Sequence, residues 1–297
     1  MADPIRIFDR SLLRKRRDRA APHFAAHDFL VREVADRLAD RLADVTRKFP
    51  LALDLGCHTG EIADTLNGRG GIETLVQCDL SPAMAARAAA HGGPTLAADE
   101  EWLPFADHSF DLVISCLSLH WVNDLPGTLV QIRRVLKPDG LFLAAMLGGD
   151  TLTELRQCLA EAEIAEEGGL SPRVSPFADV RDLGRLLQRA GFALPVVDGD
   201  DVAVAYADPM RLLADLRGMG ETNAVAEQRK TLTRRATLLH ALNLYQQRFA
   251  NEKGRVPATF QVLTMTAWTP HPTQQQPLRP GSGQASLADV LNKPNFD

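Results

Sequence analysis

Apolar and polar positions alternate between two periods along the first half of this chain. Five short apolar runs have the length of buried parallel strands: Leu51-Ala52-Leu53-Asp54-Leu55, Leu75-Val76-Gln77-Cys78-Asp79, Leu96-Ala97-Ala98, Phe110 to Cys116 and Leu141 to Met146. The segments between them carry helical spacing. In the clearest, Leu125, Leu129, Ile132, Val135 and Leu136 share one face before Pro138-Asp139-Gly140 ends the helix. Strands alternating with helices in this way predict an α/β fold, a doubly wound and mostly parallel sheet with helices on both faces.

After the fifth strand the pattern changes. Thr151-x-x-Glu154 reads as a capping box for a helix through about Glu167, followed by a Gly/Pro-rich loop from Gly168 to Pro176 that is expected to border the substrate. Further helices are expected over 178–190, 209–216 and 231–251, with an extended stretch over 201–206. Together these form a helical insertion before a last strand over 259–268, which is expected to pair beside 201–206. The stripe Leu238, Leu242, Tyr245 and Phe249 is read as a packing face, because spacings of three and four describe one side of a helix. Residues 270–286 are rich in Pro, Gln, Gly and Ser, a composition that favours a flexible tail, and 286–291 has the pattern of a short helix. The organisation expected is a helical N-terminal segment (1–48), a cofactor-binding core (49–150), the rest of the fold with its insertion (151–269) and a tail (270–297).

The strand ends carry the candidate chemistry, since ligands of open α/β sheets bind at the carboxyl edge. The first strand runs into Asp54-Leu55-Gly56-Cys57-His58-Thr59-Gly60, where glycines let the backbone approach a ligand and the next helix offers free N–H groups. A structural βα turn is the alternative. Dinucleotide sites use G-x-G-x-x-G, whereas here Gly56 and Gly60 are separated by three residues, which disfavours NAD and points to S-adenosylmethionine. Asp79, with Leu80 beside it, ends the second strand about twenty residues beyond the glycines, where a carboxylate accepts ribose hydroxyls; it also suits a helix cap before Ser81-Pro82. Asp99 and Glu100 follow the third strand and are candidates for the adenine amino group, against the reading of a solvated acidic loop. Cys116, Ser118 and His120 follow the fourth. Ser118 and Trp121 are expected to shape the pocket and His120 to orient or deprotonate an acceptor, unless it is a packed neighbour of Trp121.

A net charge of −5 over 297 residues gives no sequence-wide attraction to nucleic acid. Cys57, Cys78, Cys116 and Cys158 form no C-x-x-C pair, so reduced thiols in a cytoplasmic protein are expected and no metal site is assigned. No apolar run reaches membrane-spanning length and no secretory signal is read at the start. Arg10, Arg14, Lys15, Arg16, Arg17 and Arg19 cluster on an expected helix, which is a solvated face or a peripheral contact with an anionic membrane.

The order Asp-Leu-Gly, the acidic end of the second strand and Leu136-Lys137-Pro138-Asp139-Gly140 resemble the class I, Rossmann-like methyltransferases. Within that superfamily, 98–105, 118–126 and 148–152 are similar to the methyltransferase-fold assembly factors of respiratory complex I. The similarity continues through Phe8-Asp9-Arg10, 168–172, 182–184, 218–223 and 256–261, nearly the whole chain. It implies S-adenosylmethionine as cofactor and a protein partner, a nascent quinone-site subunit, modified during assembly next to the inner membrane. The mitochondrial members are assigned arginine hydroxylation, whereas the fold suggests methylation; a non-catalytic chaperone role is a third possibility. A weaker resemblance, placed in the cofactor domain, is to the malonyl-carrier-protein methyltransferase of biotin synthesis. His58 stands where such methyltransferases commonly have glycine. The ring either crowds the methionine end, bonds its carboxylate or points away.

Overall fold

A computed structural model describes residues 6–275 together with Gly281, Ser282 and Ser286. The short helix expected over 286–291 and most of the proposed tail lie outside the described residues. In chain order the elements are α1 (Arg10–Ala20), α2 (Phe29–Ala43), β1 (Leu51–Leu55), α3 (Glu61–Leu66), β2 (Thr74–Asp79), α4 (Pro82–Ala88), β3 (Thr95–Ala97), β4 (Phe110–Cys116), α5 (Leu125–Val135), β5 (Leu136–Leu147), α6 (Thr153–Glu167), α7 (Val180–Arg189), β6 (Ala193–Tyr206), α8 (Pro209–Gly218), α9 (Arg235–Phe249) and β7 (Val256–Trp268).

The strands form one sheet in the order β3-β2-β1-β4-β5-β7-β6. The first five are parallel, and β7 enters antiparallel between β5 and β6, with Leu141 opposite Trp268 and Tyr206 opposite Val256. Side chains alternate across each strand, so neighbouring residues serve opposite cores. Leu112, Ile114, Leu141 and Leu143 pack toward α2, α6 and α9, whereas Val113, Phe142 and Ala144 pack toward α5 and α7. This two-sided burial explains why the strands are continuous apolar runs. A third, smaller cluster of Phe8, Leu13, Trp121, Ala224 and Val225 sits where α1 crosses the carboxyl edge of the sheet. Among the described residues no helix is long and apolar enough to cross a membrane.

Three local expectations change. The Thr151/Glu154 capping box does not form: α6 begins after Leu152 in a left-handed conformation with no side-chain cap. Both polar side chains serve β7 instead, with Thr151 bonded to the Gln261 backbone and Glu154 accepting from the Thr259 hydroxyl at 2.6 Å. The buried face of α9 is Thr237, Ala241 and Tyr245, so Leu238 and Leu242 sit at its margin. The Lys137-Pro138-Asp139-Gly140 turn lies inside β5 as an irregularity between the pairs Phe110–Leu136 and Leu112–Leu141.

The basic residues of α1 do not form one solvated face. Arg10 and Arg17 turn inward, and Arg16 donates to the Thr222 and Asn223 carbonyls, which leaves Arg14, Lys15 and Arg19 outward. The Gly/Pro-rich loop is tied to α6 by Arg173, whose guanidinium bonds Glu163 at 2.7 and 2.9 Å.

Candidate functional site

The β1–α3 turn is built on positive backbone angles: Gly56 has φ 75°, His58 φ 49° and Gly60 φ 105°. The Gly56 and Cys57 amides donate to the Cys78 carbonyl, binding the turn to β2 at 2.8 and 2.9 Å. A Cβ on Gly56 would overlap the Ser118 side chain, and one on Gly60 would overlap the His91 ring. Both glycines therefore serve close approach, here by the chain's own side chains. The structure answers the question posed by His58. Its backbone adopts the left-handed conformation that glycine would, its N–H donates to Asp79 Oδ2 at 3.2 Å, and its ring turns away to donate from Nε2 to the Cys116 carbonyl at 2.9 Å. Phe24 stacks on that ring at 5.6 Å.

Three carboxylates from separate elements converge beside this turn. Asp79 at the tip of β2 is fully buried; its Oδ1 accepts from the Ser81 amide at 2.7 Å, while Ser81, rather than Asp79, caps α4. Glu100, also fully buried, accepts from the Ser118 hydroxyl at 2.7 Å and from Arg10. Glu221, after α8, accepts from Trp121 Nε1 at 2.6 Å and bonds His120 Nε2 at 3.0 Å. Arg17, with no exposed surface, places its guanidinium among all three: 3.5 Å from Asp79, 3.7 Å from Glu100 and 3.9 Å from Glu221. Asp54 lies deeper at the end of β1, fully buried, and neither of its oxygens has a partner among the described residues.

The other expected site residues fall around this centre. Asp99 is outside it, about a third exposed and bound by Arg10 at 2.7 Å. Leu80 packs against the Phe8/Trp121 cluster. Cys57 and Cys116 are buried under the turn, the latter donating its thiol to the Val31 carbonyl at 3.5 Å. His120 sits in a short 3-10 turn, Leu119–Trp121, its ring 5.8 Å from that of Phe177 in the insertion loop. Sequence reasoning assigned no cleft role to Arg17 or Glu221, since an Arg among five other basic residues and a lone Glu after α8 carry no spacing signal.

Burial sets the electrostatics. It pushes the Asp54 carboxyl well above the usual range, with Glu61 and Asp79 adding repulsion, and it pushes the Cys57, Cys78 and Cys116 thiols up. Burial alone would raise Glu100 as well, but Arg10, Arg17 and the Ser118 hydroxyl outweigh it and hold that carboxyl at about 2. Glu221 is likewise lowered, because His120 and Arg17 overcome its burial. For Glu100 the stability is fully present above its ordinary value of 4.5 and is lost as pH falls toward about 2. Chemical denaturation between pH 5 and pH 2 should show a loss on the order of 3 kcal/mol from this group, absent in Glu100→Gln. Asp54 acts in the opposite sense, because a proton retained in the folded state costs stability as pH rises above its ordinary range.

A family profile described as "Methyltransferase domain" matches residues 53–144, the span from β1 into β5. Across 290 residues, 96% of this chain and 84% of the other, 48% are identical to human "Arginine-hydroxylase NDUFAF5, mitochondrial". The chain belongs to the NDUFAF5 family. It is also 36% identical over 266 residues to the malonyl-(acyl-carrier protein) O-methyltransferase of Halorhodospira halophila, 88% of each chain. That similarity extends well past the cofactor domain in which the sequence motifs had placed it. Among solved structures, Haemonchus contortus phosphoethanolamine N-methyltransferase 2 in complex with S-adenosyl-L-methionine superposes with a TM-score of 0.53 at 17% identity, covering 87% of this chain and 60% of that one. It shares the fold, a class I methyltransferase sheet.

The family identification places Phe8-Asp9-Arg10 and the Gly218–Asn223 run in structural context. Asn123 joins the first to the site by accepting from the Phe8 amide at 2.8 Å, and Arg10 closes over Glu100. The second run supplies Glu221 to His120, so the segment leading into α1 and the segment after α8 meet at one buried cluster.

Proposed function

We propose that this chain binds S-adenosylmethionine at the carboxyl edge of its sheet and modifies an arginine side chain on a protein partner during assembly of respiratory complex I. The observation that carries this reading is the buried cluster in which Asp79, Glu100 and Glu221 surround the Arg17 guanidinium beside His120. The residues fit the cofactor. Asp79 stands at the strand tip, where an acid can accept both ribose hydroxyls, and the unpartnered Asp54 carboxyl offers the ammonium of the methionine end an acceptor oxygen. The cofactor's sulfonium, when bound, supplies an activated methyl group.

The chain's own part is positioning and proton handling. Glu221 accepts from His120 Nε2, which fixes the tautomer and leaves Nδ1 as the free acceptor; Nδ1 is buried and has no partner among the described residues. His120 is thus the group that takes a proton from an incoming nitrogen nucleophile, with Trp121 and Phe177 excluding water around it. The name of the human relative supports arginine as the acceptor and hydroxylation as the outcome; the shared fold supports methyl transfer. The partner is taken to be a quinone-site subunit, met in the cytoplasm at the inner membrane.

The reading is tested by intact-mass analysis of the partner subunit with and without this protein and cofactor. With dioxygen and a two-electron reductant also supplied, a gain of one oxygen, the second leaving as water, identifies the hydroxylase, a gain of one methylene the methyltransferase, and an unmodified partner overturns the enzymatic proposal in favour of a chaperone. A second reading, carboxyl methylation of a malonyl carrier protein, is favoured by the identity to the Halorhodospira halophila enzyme and would appear as a methyl ester on that carrier.

A further inference from the structure

Resting on the cofactor reading above, we propose that α1 is a latch whose Arg17 occupies the cofactor cleft as a built-in cation, so that S-adenosylmethionine enters only when α1 withdraws. The guanidinium lies where the ligand must lie. It touches Asp79, the acid assigned to the ribose, and it approaches Ser118, the side chain pressed against Gly56 of the first turn. Asp79, Glu100 and Ser118 are all sealed from solvent in this arrangement.

Arg17 is held in a manner suited to exchange. Its contacts are 3.3 and 3.4 Å to the Ser118 hydroxyl and 3.5 to 3.9 Å to the three carboxylates, while Nε has no partner among the described residues. A well-formed guanidinium–carboxylate pair is bidentate at 2.7–2.9 Å. Arg41 makes such a pair with Asp198 at 2.6 and 2.8 Å, and Arg10 reaches Asp99 through one nitrogen at 2.7 Å. Arg17 is therefore trapped by charge with little directional bonding. Burial of Asp79 and Glu100 beside Glu221 favours positive charge among them, and the ligand brings its sulfonium to the site that Arg17 leaves. Withdrawal of α1 also breaks the Arg10 pairs with Asp99 and Glu100, the Ser81–Asp18 bond of 2.6 Å and the Arg16 bonds to Thr222 and Asn223, which couples cofactor entry to the segment that bears Glu221.

The latch lowers apparent affinity by the fraction of time the cleft is open. Calorimetry with S-adenosylmethionine on the full chain should thus show Arg17→Met binding about tenfold more tightly than wild type. Equal binding by a folded Arg17→Met would overturn the latch, and weaker binding would overturn it and make Arg17 a cofactor ligand. A readout on the unaltered chain covers the case where that variant fails to fold. On addition of S-adenosylmethionine, backbone amides of Leu12–Ala20 should exchange faster and trypsin should cut sooner at Arg14, Lys15 and Arg16. Unchanged or slower exchange while calorimetry registers binding overturns the latch alone, whereas no binding by wild type and by a folded Arg17→Met overturns the cofactor reading and the latch with it.

Discussion

Replacing Asp79 with alanine lowers S-adenosylmethionine affinity by about a hundredfold or more and weakens the fold at the same position. Charge-assisted hydrogen bonds are each worth about 1.5–3 kcal/mol, and loss of the two to a ribose corresponds to a hundredfold or greater change in Kd. The structural cost follows from what Asp79 already accepts: the amides of Ser81 and His58 are left without their acceptor in a fully buried setting. The α4 cap by Ser81 survives, since it is made through the Ser81 hydroxyl to the Met84 amide at 3.1 Å. Asp79→Asn separates the two effects, because its amide oxygen still accepts one bond. Thermal unfolding should therefore place Asp79→Asn between wild type and Asp79→Ala, while calorimetry shows both variants weakened. A variant that binds as wild type does would remove Asp79 from the cofactor site.

His120→Ala lowers turnover by about 10²–10⁴-fold while the affinity for S-adenosylmethionine changes by no more than about twofold. The split follows from its partners: His120 bonds Glu221 and packs against Phe177, and it contacts none of Asp54, Asp79 and Glu100 among the hydrogen bonds of the described residues. Glu221 is a positioning residue acting through His120. Its charge stabilises the imidazolium that forms when Nδ1 takes a proton, so Glu221→Gln should lower kcat more than it changes KM. A purely structural Glu221 would change melting temperature and leave kcat in place. An unaltered rate in His120→Ala, with the protein folded, rejects proton transfer by this residue.

Most of the sheet was legible because parallel strands buried on both faces must be apolar throughout, and runs such as Leu51–Leu55 and Phe110–Cys116 carry that signature without help from distant residues. The place of Asp79 was legible for a related reason, since a carboxylate at the end of such a run falls at the carboxyl edge of the sheet. Elements governed by tertiary partners were harder to read. Thr151 and Glu154 satisfy the local rule for a helix cap, yet β7 offers them partners that outcompete it. The α9 stripe was displaced by one position because Tyr245 anchors the face through its hydroxyl to the Pro257 carbonyl at 2.6 Å. Arg17 and Glu221 lie 204 residues apart and meet only once α1 has crossed the sheet edge; no periodicity encodes that meeting. His58, which departs from glycine, kept glycine's backbone geometry and found a carbonyl for its ring.

Equilibrium dialysis of labelled S-adenosylmethionine against the folded full chain tests the cleft most directly. One equivalent retained per chain, displaced by S-adenosylhomocysteine and lost in Asp79→Ala, is the result expected from carboxylates gathered at the strand tips. Retention no greater than that of the Asp79→Ala protein would contradict it.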